Sequence, residues 1–342
     1  MNKRMIAFVT AMVLAGTCLT ITGGLAIQAD ETYNLRMTMT ATSMSFASDI
    51  ADEINAATDG KVNVEIIDVA TLGGAADGLS MFRDGGLDMV MLPAAQTPGE
   101  FPVTDIAQLP FFMPTGEASD TVLRGLFDAG LMHEYDDMEL MFFASTDPQM
   151  LGFKNDTVVS SVDDFKGLKV RGVSGITTEF IEKVFGATCV TMGMNDVYMS
   201  LQTGVIDAAI SSPNQMVQNS FSDVMKSVMN QPLYYGALYC AFNADKWASL
   251  PEDIQNGIKA ACEQKAKEIR EYYDSEVEKN IGVLKDAGVD VYEPAPELVD
   301  ILESTTIEQV YGIFKEKLSA AGLDADAVMT KAEELVASFK EE

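Results

Sequence analysis

The run Asp163-Asp164-Phe165-Lys166-Gly167-Leu168-Lys169-Val170-Arg171 opens the segment that decides the fold, and Ile210-Ser211-Ser212-Pro213 closes it. Gly167 to Arg171 is a short β run after a turn. Phe180, Ile181, Val184 and Phe185 then recur at helical spacing within Thr177 to Phe185, with Gly186 as a C-terminal stop. Gly186 to Met192 reads as a second strand. Asn195 is placed to cap a second helix carrying Val197, Leu201 and Gln202, which Gly204 closes. Ile206 to Ile210 is a third, apolar strand. Strands alternating with helices predict a parallel sheet, whose ligands bind beyond the carboxyl ends of the strands. Arg171 stands at such an end.

Residues 1–29 read as a signal peptide. Lys3 and Arg4 form a basic start, Ile6 to Ile21 is apolar, and Ile27-Gln28-Ala29 is an acceptable cleavage site. A retained membrane anchor is the alternative, but the apolar run has no flanking stop-transfer charge. Thr17 before Cys18 argues against a lipid-anchored form. Removing this segment takes the formal net charge from −29 to −31. Such acidity argues against a nucleic-acid partner and favours solubility. An acidic chain that binds an anion needs local positive charge, so the few cations near strand ends carry weight.

Cys189, Cys240 and Cys262 fit no metal spacing, and their odd number leaves a thiol unpaired. They read as buried small hydrophobes rather than as a disulfide. His133 is the only histidine, which argues against a His-based metal site or a Ser–His triad. No catalytic residue, metal or cofactor is expected.

Along the rest of the chain, Tyr33, Leu35, Met37 and Met39 alternate as a strand. A helix over Phe46 to Thr58 and a strand over Val62 to Val69 complete a β-α-β opening. Leu72 to Gly78 is glycine-rich but lacks the spacings of phosphate-binding loops. Leu79 to Arg83 and Leu123 to Met132 read as helices, and Leu87 to Met91 and Leu140 to Ala144 as strands. Gly152-Phe153-Lys154 is a plausible crossover between lobes, and Leu233 to Phe242 reads as one returning strand. Ser249 to Glu252 has the spacing of a capping box. Apolar residues from Ile254 to Leu284 then keep a 3–4 spacing until Gly288. A helix of roughly 36 residues would be about 54 Å long, enough to cross two lobes. A coiled coil is the alternative, but the spacing does not hold a 3.5 repeat.

The matching pieces Asp164 to Arg171, Gly186-Ala187, Asp196-Val197-Tyr198 and Leu201 to Asp207 resemble, in order and spacing, the signature of TRAP-type solute-binding proteins, the DctP-like family. The similarity runs from about Tyr33 to the C-terminal helices. It implies an α/β, two-lobed periplasmic-binding-protein-like fold with hinge strands and a long spine helix across both lobes. Lobe I would comprise 30–152 plus about 236–277, and lobe II 153–235 plus about 278–342. The implied function is periplasmic capture of an organic acid anion by hinge closure and its delivery to the small and large TRAP membrane subunits. A ligand-sensing module for a signalling receptor and a secreted enzyme are the alternatives; no paired nucleophile and base supports the last.

The resemblance assigns the ligand carboxylate to Arg171, whose planar guanidinium suits a bidentate grip. Lys154 falls near a position that often holds a second Arg, with a solvated lysine equally compatible. Thr40 and Pro93 stand where sialic-acid-binding relatives have Asn and Glu, and Ile210-Ser211-Ser212-Pro213 departs from their Asn-Pro. The expected ligand is therefore a smaller or more apolar acid, with Ser211 or Ser212 as donors. Phe46, Phe111, Met194 and Tyr235 are candidates for an apolar wall.

Overall fold

In the computed structural model, which describes residues 32–173 and 175–339, the alternation from Tyr33 becomes strand β1 (Tyr33–Met39), with Leu35, Met37 and Met39 buried. The signal-peptide reading lies outside the described residues. The next strands are β2 (Val62–Asp68), β3 (Met89–Pro93), β4 (Met138–Ser145), β5 (Gln149–Phe153), β6 (Lys169–Gly172) and β7 (Thr188–Thr191). They are followed by β8 (Ala208–Ser211), β9 (Ser227–Tyr234), β10 (Ala237–Asn243) and β11 (Asp290–Tyr292). The first sheet has the order β2-β1-β3-β10-β4 and the second β11-β9-β5-β8-β6-β7. In each sheet one strand runs against its neighbours: β10 in the first, β5 in the second.

The helices are α1 (Ala41–Ala47), α2 (Ile50–Ala57), α3 (Ala75–Arg83), α4 (Gly116–Asp128), α5 (Ile176–Lys183) and α6 (Met194–Thr203). After them come α7 (Pro213–Gln218), α8 (Ala244–Ala248), α9 (Glu252–Asp286), α10 (Pro296–Gln309), α11 (Tyr311–Ala320) and α12 (Ala325–Ala337). The expected spine is α9, 35 residues long. Its N-terminal part, as far as Tyr273, packs Ile254, Ile258, Cys262, Ile269 and Tyr273 into the core of the first sheet. Its second half packs Ile281 and Leu284 into the core of the second. That crossing of two cores rules out the coiled-coil alternative.

Local readings change where backbone and side chains compete. The helix expected over Phe46 to Thr58 is two helices, broken at Ser48–Asp49; the Asp49 carboxylate makes no cap and reaches Lys265 instead, at 2.9 Å. Asn195 does not cap α6; the extended Gly193 holds that position. The capping box at Ser249 is absent, because Pro251 starts α9 and the Ser249 hydroxyl donates to the Lys246 carbonyl.

The change of sheet falls at Thr146–Pro148, not at Gly152–Lys154, which lie within or just after β5. The expected strand over Leu233 to Phe242 is likewise two strands in different sheets, parted at Tyr235–Gly236. The two crossings run side by side. Thr146 N donates to the Gly236 carbonyl at 2.8 Å, and Gly236 N to the Thr146 hydroxyl at 3.0 Å. A Cβ on Gly236 would sit 2.9 Å from that hydroxyl oxygen, so the close pairing requires glycine here. Cys189, Cys240 and Cys262 are free thiols; Cys240 and Cys262 are buried and Cys189 is half-buried.

Candidate functional site

A cavity of about 430 Å³ opens between the two sheets, in the size range of small-molecule sites. It lies at the carboxyl ends of β1, β3, β6, β7 and β9, through Thr40, Pro93, Arg171, Thr191 and Tyr234. This is where a parallel arrangement leaves its strand ends open. Thr146, Gln149 and Gly236 bring the paired crossings to its wall, and Tyr273 brings the middle of α9.

Arg171 is 4 % exposed. Its Nε donates to the Met192 carbonyl at 3.2 Å and its Nη1 to the Ile210 carbonyl at 3.0 Å. These bonds aim the guanidinium without neutralising it. Arg171 forms no ion pair among the described residues, and burial lowers its pKa. Among the described lining residues it is the only charged side chain. Beside it, the Tyr234 hydroxyl is fully buried without a protein hydrogen-bond partner. Burial raises its pKa, and the nearby Arg171 charge acts in the opposite direction.

The remaining polar lining is neutral. Gln149 is buried and donates weakly from Nε2, at 3.4 Å to the Thr146 hydroxyl and 3.3 Å to the Asp147 carbonyl. Gln215 accepts from the Ser211 hydroxyl through Oε1 at 3.3 Å. Gln108 donates from Nε2 to Asp105 at 3.0 Å. Met192, Met194, Val173 and Leu238 supply apolar surface. The start of α6 faces the same space through Gly193 and Met194; no side chain caps it.

The structure therefore brings Arg171, Thr40 and Met194 together at the cavity. Thr40 also caps α1, accepting from Ser43 N at 3.1 Å. The other expected residues lie elsewhere. Lys154 follows β5, which runs against β6 and β8, and so reaches the opposite edge of the sheet beside Gly204. Ser211 donates to Gln215, and Ser212 caps α7 by accepting from Gln215 N at 3.3 Å. Phe46 is stacked on Tyr272, with ring centroids 4.9 Å apart, and packs edge-on to Tyr273, behind the wall. Tyr235 turns away to donate to the Pro114 carbonyl at 3.3 Å; Tyr234, one residue earlier, lines the cavity. Phe111 meets Phe180 edge-on, away from the lining.

Sequence reasoning missed Gln149, Gln215, Tyr234 and Tyr273. Pairing of β4–β5 with β9–β10 brings Gln149 opposite Tyr234, a register that the sequence did not reveal.

Residues 37–316 match the model of the bacterial extracellular solute-binding proteins, family 7. The chain is 27 % identical over 233 residues to the C4-dicarboxylate-binding periplasmic protein DctP of Rhodobacter capsulatus, covering 68 % of this chain and 70 % of that protein. It is 26 % identical over 283 residues to the 2,3-diketo-L-gulonate-binding periplasmic protein YiaO of Escherichia coli, covering 82 % and 86 %. Its fold is similar to that of a TRAP solute-binding protein from a marine metagenome, an unidentified microbe, specific for aromatic acid ligands and solved with metahydroxyphenylacetate. That likeness has a TM-score of 0.81 at 22 % identity, covering 90 % of this chain and 99 % of the other.

Proposed function

The chain belongs to the bacterial extracellular solute-binding proteins of family 7, and from that premise we propose that it captures an organic acid anion in the periplasm and delivers it to the membrane subunits of a TRAP transporter. The observation that carries this reading is Arg171: a buried guanidinium at a cavity between two sheets, with carbonyls but no carboxylate as partners among the described residues. A buried charge is costly unless paired, and a ligand carboxylate supplies the partner with charge-assisted hydrogen bonds.

The architecture supports closure as the mechanism. The two sheets serve as the cores of two lobes joined by the paired crossings at Thr146 and Gly236 and by α9. Contacts that a ligand makes to both lobes exist only when they are together, so binding shifts the population towards the closed form. No helix among the described residues is long and apolar enough to cross a membrane, which suits a receptor that works beside a separate permease. Binding and release require no covalent step, so we assign no enzymatic activity.

The test is thermal shift of the protein against a library of organic acids, with Arg171→Ala alongside. A ligand that binds only the folded form stabilises it by about 2.7 kcal/mol at a hundred times its Kd. One class of acids should raise the wild-type Tm, and Arg171→Ala should remain folded and lose that response. An equal response from the variant would remove Arg171 from ligand binding.

A further inference from the structure

Resting on the reading of the cavity as an acid-binding site, we infer that it is built for a monoanion: an acid with one carboxylate and an otherwise uncharged body. Arg171 is the only charged side chain among the described lining residues, and both carbonyls that orient it are neutral. Arg270, a cation midway along the spine helix, is already committed. Its Nη2 pairs with Asp274 at 2.7 Å, its Nη1 donates to the Ser145 carbonyl at 3.0 Å, and Asp120 lies 3.9 Å away. Lys154 is at the far edge of the second sheet.

A second carboxylate would meet amides and hydroxyls instead of a cation. Close by, at the crossing between sheets, is the buried Asp147, whose Oδ2 accepts from Asn214 N at 3.0 Å. Bringing another negative charge into this space costs desolvation that no countercharge offsets. The walls suit a neutral body instead. Gln149 is 7 % exposed, and its Oε1 has no hydrogen-bond partner among the described residues. Gln215 engages its Oε1, and its Nε2 is uncommitted among the described residues. One amide thus offers an acceptor and the other donors, which fits hydroxyl, oxo or amide groups on the ligand. Tyr234 and Tyr273 add flat apolar surface.

Calorimetric titration with matched pairs of acids tests the inference: butyrate against succinate, benzoate against isophthalate, phenylacetate against its ring-carboxylated analogue, each differing by one carboxylate. The expected result is binding of monoacids, with each added carboxylate weakening affinity roughly 100-fold at neutral pH. Affinity for the dicarboxylates should recover on acidification, as the second carboxyl is protonated; rejection by shape alone gives no such recovery. Dicarboxylates binding as tightly as their partners would overturn the inference and leave the acid-binding reading standing. Weak dicarboxylate binding with no recovery at acid pH would also overturn it, because size would then be the cause. Failure of every acid to bind would overturn the acid-binding reading and this inference together.

Discussion

Two side chains show how far single residues were legible. Arg171 announced itself through its place at the end of a short strand, and the cavity forms around it. Lys265 gave no such sign. It lies on α9 with 1 % of its side chain exposed, and its ammonium pairs with Asp49 at 2.9 Å and with Glu53 and Glu268 at 2.5 Å each. In sequence it is one lysine among many on a charged helix; Glu268 stands one turn along on α9 itself, and only the packing of α2 against α9 adds Asp49 and Glu53. Their carboxylates lie close enough to hold a metal ion, but the ammonium occupies their centre. Lys265→Met should destabilise the fold by about 3 kcal/mol or more, because three like charges are left facing one another. Chemical denaturation would measure this, and the loss should shrink on acidification as Glu53, whose pKa burial already raises, takes up a proton. Tyr234→Phe makes the opposite prediction. Its hydroxyl is buried without a protein partner, so the variant should equal or exceed the wild type in unliganded stability, by up to about 1 kcal/mol. A clear drop in Tm would show that the hydroxyl is satisfied in solution.

At the scale of elements, close approach decides more than propensity. Gly257 sits inside α9, where alanine favours a helix by about 1 kcal/mol. Yet a Cβ there would lie 2.6 Å from the Ala57 carbonyl oxygen at the end of α2, and a backbone atom cannot step aside cheaply. Gly257→Ala should therefore destabilise the protein by about 1–3 kcal/mol, read as a lower denaturation midpoint with an unchanged slope. An increase in stability would mean that α9 and α2 are free to separate. The elements themselves were legible where one rule governed. The alternation in β1, the β-α-β run around Arg171 and the long periodicity of α9 all reappear. Legibility failed where a continuous apolar run hides a change of partner. Nothing local in Leu233 to Phe242 says that Tyr234 belongs to one sheet and Ala237 to another. The site readings at Tyr235 and Lys154 failed for the same reason: strand direction and the crossing point fix which side chains reach the cavity, and both are tertiary facts.

For the whole molecule, acidity and burial act on stability in the same direction. Burial, full for Asp147 and partial for Asp105 and Asp120, pushes Asp105 up to about 7, and Asp120 and Asp147 up to about 6, from an ordinary 3.8. Asp120 accepts from Ser145 N at the end of β4, and Asp147 lies in the crossing that follows, so two of the three flank the proposed hinge. With folded pKa values above the unfolded ones, the native chain holds more protons than the unfolded chain between about pH 4 and 7. The unfolding free energy therefore falls as pH rises through that window. Their favourable contribution is complete near the unfolded pKa and gone above about pH 7. Carboxyls whose pKa is lowered, such as Asp164 held by the Ser160 and Ser161 amides, oppose this only nearer pH 4. The formal charge of −29 adds self-repulsion that acidification also relieves. The Tm should thus be higher near pH 5.5 than near pH 8. Salt should narrow the gap by screening the net charge while leaving the buried part. Asp147→Asn keeps an acceptor for Asn214 N and cannot ionise, so it should raise the Tm at pH 8 and flatten the pH profile. Scanning both proteins across pH at low and high salt separates the two causes. A profile that salt abolishes would assign the whole effect to net charge, and one unchanged in Asp147→Asn would clear the hinge carboxyl of any part in it.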